Sequence, residues 1–153
     1  MKSETKWAVI ATVALLVTLL LSKMLGLHSA EKFETGMIVG TIVSALTFIV
    51  IYYLVCKEKR DGEYNGIMSW QEGFWTCARM TLIYIPLSCA VLYFYLTTIN
   101  AEFCTVFLQK AADMGGASGK DPINDNLYFQ AKMSYLMGGL FSLIFPAITK
   151  RAA

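Results

Sequence analysis

Charge is what this sequence lacks most. Asp, Glu, Lys and Arg together make up 16% of its 153 residues, against about 25% in an average soluble chain. The deficit is concentrated: none of the four occurs in Trp7–Ser22, Gly36–Cys56, Met80–Ala101 or Met133–Thr149. A soluble amphipathic helix needs a polar face, and these runs have none, so a water-soluble helical bundle is excluded. Histidine is nearly missing too. His28 stands alone, which leaves no Ser–His–Asp arrangement to assemble and no His cluster to hold a metal. The cysteines number 4 and form no CxxC pair, so no zinc site is expected and they read as small buried hydrophobes. Cys104, on the outer side, is the one to check for an intermolecular disulfide. No two carboxylates share a charge-free run, which argues against a proton relay. A net charge of +2 is too small to suggest nucleic acid as a partner.

What is present is apolar length. A bilayer core about 30 Å thick takes roughly 20 residues of helix at 1.5 Å each. The four runs supply this as spans over about 7–27, 35–56, 74–99 and 131–149. The first reaches full length if Lys23 extends its stem outward, and the fourth needs the same of Lys132. The expected fold is all-α: one polytopic membrane domain over 1–153, with four transmembrane helices. Lys2 and Lys6 ahead of an apolar stretch also fit a secretory signal. However, the run to Leu21 is long for one, and the cleavage candidate "LHSA" puts His28 where a small residue belongs.

Basic residues orient the spans. Lys2, Lys6, Lys57, Lys59, Arg60, Arg79, Lys150 and Arg151 fall on one side, and Lys23, Lys32, Lys110, Lys120 and Lys132 on the other. The bias of eight to five places both termini in the cytoplasm.

The stretch "SWQEGFWTCARM", Ser69 to Met80, marks an entry into the membrane. Ser69 and Glu72 have capping-box spacing. Trp70, Phe74 and Trp75 suit the headgroup level. Arg79 can lean back toward the headgroups, with the Trp75 ring one turn earlier placed for a cation–π contact. Glu72, seven residues before Arg79 and on its face, is the alternative partner. Arg79, Glu72, Trp75 and Pro86 are therefore the candidate functional or anchoring residues. Pro86 removes an amide from the third span and should kink it, with Ser88, Thr81 or a neighbouring helix repairing the loss.

Two ridges of small residues at four-residue spacing suit close helix packing: Gly36, Gly40 and Ser44, then Ser134, Gly138 and Ser142. Between the third and fourth spans, Phe103, Val106, Phe107 and Lys110 recur at helical spacing, as in a short amphipathic helix on the outer leaflet. "GGASGKDP" then breaks it, and its Gly-x-x-Gly-Lys lacks the spacing of a phosphate loop. "NDNLYFQA" resembles a tag-protease site but runs directly into a span. Tyr93, Tyr95, Tyr128, Phe129 and Tyr135 fit an outer aromatic belt. His28 is expected to be a solvated loop residue.

The order of "KEKRDGEYNGIMSWQEGFWTCAR", "YFYLTTINAEF", a variable outer segment and "GGLFSLIFPAITKR" resembles small four-span bacterial membrane proteins, the domain-of-unknown-function 4199 group. In the loop from Lys57 to Gly73, Ile67, Met68, Ser69 and Trp70 stand where that group starts its third helix. The resemblance implies a bacterial inner-membrane protein and supplies no catalytic, cofactor-binding or metal residues. The function expected is structural or accessory, through helix–helix contacts with a second copy or another membrane protein in the lipid bilayer. An oligomeric carrier or channel for small solutes or ions is the alternative, and a lipid-acting membrane enzyme ranks last.

Overall fold

The computed structural model describes residues 2–29, 31–113 and 121–150. It is all-α, with α1 Ser3–Met24, α2 Phe33–Gly62, α3 Trp70–Phe94, α4 Ala101–Asp113 and α5 Pro122–Thr149. Residues Tyr95–Ile99 continue α3 as a single π turn. Four of the five helices are long and apolar enough to cross a membrane: α1, α2, α3 with its π turn, and α5. The expected fourth span starts too late, for the helix already begins at Pro122. There Asp121 accepts from the amides of Ile123 (3.1 Å) and Asn124 (3.3 Å), and proline at the first position needs no partner for its missing N–H.

The capping box forms as the spacing predicts. The Ser69 hydroxyl accepts from the Glu72 amide at 3.3 Å, and the Glu72 carboxylate accepts from the Ser69 amide at 2.8 Å. Just before it, Asn65 and Gly66 turn the chain from α2 into α3 at φ 49° and 87°, a region open to glycine and tolerated by asparagine.

Around the bundle the neighbours run α1, α2, α5, α3, while α2 and α3 also meet across the middle. The starts of α1 and α3 and the ends of α2 and α5 share one end of the bundle, here the termini end. The middle is filled by side chains. Phe48, Tyr52, Tyr84, Phe141 and Phe145 touch one another ring to ring, with centroids 5.2–6.3 Å apart.

The small-residue ridges divide on inspection. Gly138 lets α5 approach α2 and α3, since a Cβ there would lie 2.2 Å from Thr81 Cγ2 and 2.9 Å from the Tyr52 hydroxyl. Ser134 and Ser142 are buried beside it along α5. A Cβ on Gly36 would meet the Leu27 carbonyl oxygen at 2.2 Å, so it admits the α1–α2 connection and not another helix. Gly40 meets nothing within 4 Å, and Ser44 borders a small cavity between α1 and α2. Gly73, which the ridge pattern does not include, has the same role as Gly138. A Cβ there would come within 2.8 Å of buried Pro146.

The amphipathic segment is the helix α4, whose Phe103 and Cys104 join a cluster with Leu92, Leu96, Ile123 and Leu127. Cys104 is a free thiol, buried and 3.9 Å from Asn126 Nδ2. The glycine-rich break and its Gly-Lys pair lie outside the described residues.

Candidate functional site

At the termini end, α1 and α2 form two layers of ion pairs. Lys59 is buried and holds the equally buried Glu4 carboxylate at 3.0 Å and the half-exposed Glu63 at 2.5 Å. Glu58 sits outside this pair. It accepts from the Lys6 ammonium (2.8 Å), the Trp7 indole (2.9 Å) and the Ser3 hydroxyl (3.2 Å). Lys6 also lies 5.3 Å from the centre of the Trp7 ring. The Arg60 guanidinium donates to the Thr149 carbonyl at 3.2 Å, tying the end of α5 to the end of α2. The second Glu4 oxygen is buried and has no hydrogen-bond partner among the described residues. Charge is thus buried in the bundle at this end. Glu4 and Lys59 lie outside the charge-free runs, and their burial follows from the packing of α1 on α2.

Arg79 comes to this cluster from α3. It is exposed and lies within electrostatic range of the Glu4 carboxylate. Its side chain makes no ring contact with Trp75, which packs edge-on against Phe74 at 5.4 Å. Glu72 is occupied by the helix cap and makes no ion pair with Arg79 among the described residues. The Trp70 indole instead donates to the Leu143 carbonyl of α5 at 3.2 Å. Pro86 is exposed near the middle of α3. The two hydroxyls expected to mend its gap are engaged elsewhere: Ser88 donates to the Ile85 carbonyl and Thr81 to that of Cys77, each at 2.9 Å.

The opposite end carries a second polar group, centred on His28. The Asn100 amide donates to His28 Nδ1 at 3.1 Å and to the Tyr95 hydroxyl at 3.0 Å, while that hydroxyl lies 2.8 Å from Nδ1. Phe103 stacks on the ring at 4.1 Å. Lys23 donates to the Ile99 carbonyl. The histidine is therefore half-buried and engaged, not solvated as expected. Tyr95 is fully buried and leaves the aromatic belt, whereas Tyr93, Tyr128, Phe129 and Tyr135 are exposed as that belt requires. Burial first, and the Lys23 ammonium second, hold the His28 imidazole below its usual pKa. The π turn forms one side of this joint: it holds Tyr95 against the Leu19 carbonyl of α1 and, just past its end, Asn100 against His28 of the α1–α2 connection. No sequence pattern announces such a turn.

Among the described residues no three His, Cys, Asp or Glu side chains come together as metal ligands. Neither the curated proteins nor the solved structures contain a match to this chain. The family described as "Protein of unknown function (DUF4199)" matches residues 6–151, nearly its full length. The aromatic middle, the π-turn joint and most of the ion-paired termini end, all but Ser3 and Glu4, fall within that match, and the chain belongs to this family.

Proposed function

We propose that this chain is a structural or accessory protein of the bacterial inner membrane, with both termini cytoplasmic, acting through helix–helix contacts and not as an enzyme. One observation carries the reading: the bundle is closed by side chains at mid-height. The cavity lined by Ala11, Ala14, Leu15, Thr18, Ser44, Thr47, Phe48 and Tyr84 measures about 20 Å³, room for roughly one water. Meanwhile α2 turns Met37, Ile38, Val39, Ile42, Val43 and Leu46 outward, a face for lipid or for another membrane helix. The excess of Lys and Arg at the termini end supports the orientation.

A solute carrier built between copies is the second reading, favoured by the exposure of both Arg79 and Pro86. Proteoliposomes loaded with a panel of small ions and solutes decide between the two. The structural role predicts flux equal to protein-free vesicles, and protein-dependent flux of any panel member refutes it.

A further inference from the structure

Two of the cysteines, far apart in sequence, face each other. Cys56 of α2 and Cys77 of α3 place their sulfurs 3.0 Å apart, and both side chains are wholly buried. They lie where α2 and α3 cross the middle of the bundle, in the apolar cluster with Ala8, Val55 and Met80. Cys89 and Cys104 are separate from them, on other neighbours. As packing alone, two thiols in contact are ordinary small hydrophobes. Their chemistry differs from that of a single buried thiol in one respect. A sulfenic acid formed on one sulfur is already in contact with the thiol that can resolve it.

We propose that Cys56 and Cys77 are a reversible two-electron redox pair that closes with hydrogen peroxide. The oxidant class follows from burial, because both sulfurs are wholly covered and a small, uncharged oxidant is required to reach them. One sulfur, as thiolate, attacks a peroxide oxygen. The O–O bond breaks, a sulfenic acid forms, and the leaving hydroxide takes a proton to become water. The facing thiol then attacks the sulfenic sulfur, the S–S bond forms, the S–O bond breaks, and a second water leaves. Two thiols lose two electrons and two protons, and one peroxide becomes two waters. The sulfurs need to close by about 1 Å to reach a bond of about 2.05 Å. The product joins α2 to α3 within the bundle, and a thiol reductant reopens it. This proposal rests on the sulfur geometry and is independent of the helix-contact role above.

The test uses the full wild-type chain in lipid nanodiscs. The protein is treated with hydrogen peroxide, quenched, denatured, alkylated with a maleimide and weighed intact, and its peptides are then mapped. The expected result is a monomer that has lost two alkylatable thiols, with a Cys56–Cys77 linkage lighter by about 2 Da, the two hydrogens lost. Dithiothreitol should restore both thiols. Persistence of both as alkylatable thiols, or sulfinic or sulfonic acid on either without the linkage, overturns the proposal.

Discussion

Gly138→Ala would put a methyl 2.2 Å from Thr81 Cγ2, inside the contact where the Tyr52 hydroxyl meets Thr81 at 2.5 Å. Overpacking of this kind costs about 1–3 kcal/mol, so the melting temperature in detergent should fall clearly. Gly40→Leu, by contrast, should leave the melting of the single chain unchanged, because that position is open. The Glu4–Lys59 pair supplies a second contrast. Lys59→Met alone strands a buried carboxylate and should cost about 3–5 kcal/mol, whereas Glu4→Leu with Lys59→Met should recover most of that loss. Protonation of His28 is a third. Its folded pKa lies below the ordinary 6.5, so the unfolded chain binds the proton more readily. Its share of stability is complete above pH 6.5 and declines as pH falls through the folded value. Melting measured across that range should show the decline in the wild type and a weaker one in His28→Gln. Of these residues, sequence spacing singled out only Gly138 for the right reason. Glu4, Gly73 and Tyr95 carry local signals of a tail, a helix start and a belt, and their burial depends on which helix lies opposite.

At the scale of the helix, legibility follows charge. Runs without Asp, Glu, Lys or Arg fixed the existence of α1, α2, α3 and α5, because only lipid or a protein interior suits them. The Ser-x-x-Glu spacing located the start of α3 to the residue. The start of α5 was missed since Asn124, Asp125, Asn126 and Gln130 dilute its apolar signal, although Asp121 before Pro122 is itself a cap and stop for the preceding loop. Asp121→Ala should therefore cost about 1 kcal/mol and speed amide exchange in the first turn of α5, read by hydrogen–deuterium exchange. The π turn after α3 left no trace in the sequence, since the residue its side chains meet, His28, lies far away along the chain. Nor could helix pairing be read. Runs that are apolar all round do not reveal which face meets a neighbour and which meets lipid.

For the whole molecule, the family match and the four long apolar helices agree on a multi-pass membrane bundle. Among the described residues its ion pairs gather at the termini end, and the His28 joint lies at the other. That division gives the bundle a definite up and down, and an even number of crossings requires its ends to share a face. Lys2→Cys, Lys150→Cys and Lys32→Cys, each introduced singly into oriented vesicles and challenged with a membrane-impermeant maleimide, test this directly; Cys56, Cys77 and Cys104 are buried, and the parent chain corrects for Cys89. Positions 2 and 150 are expected to label from one face and position 32 from the other. Labelling of positions 2 and 150 from opposite faces, or of all three from the same one, would contradict it.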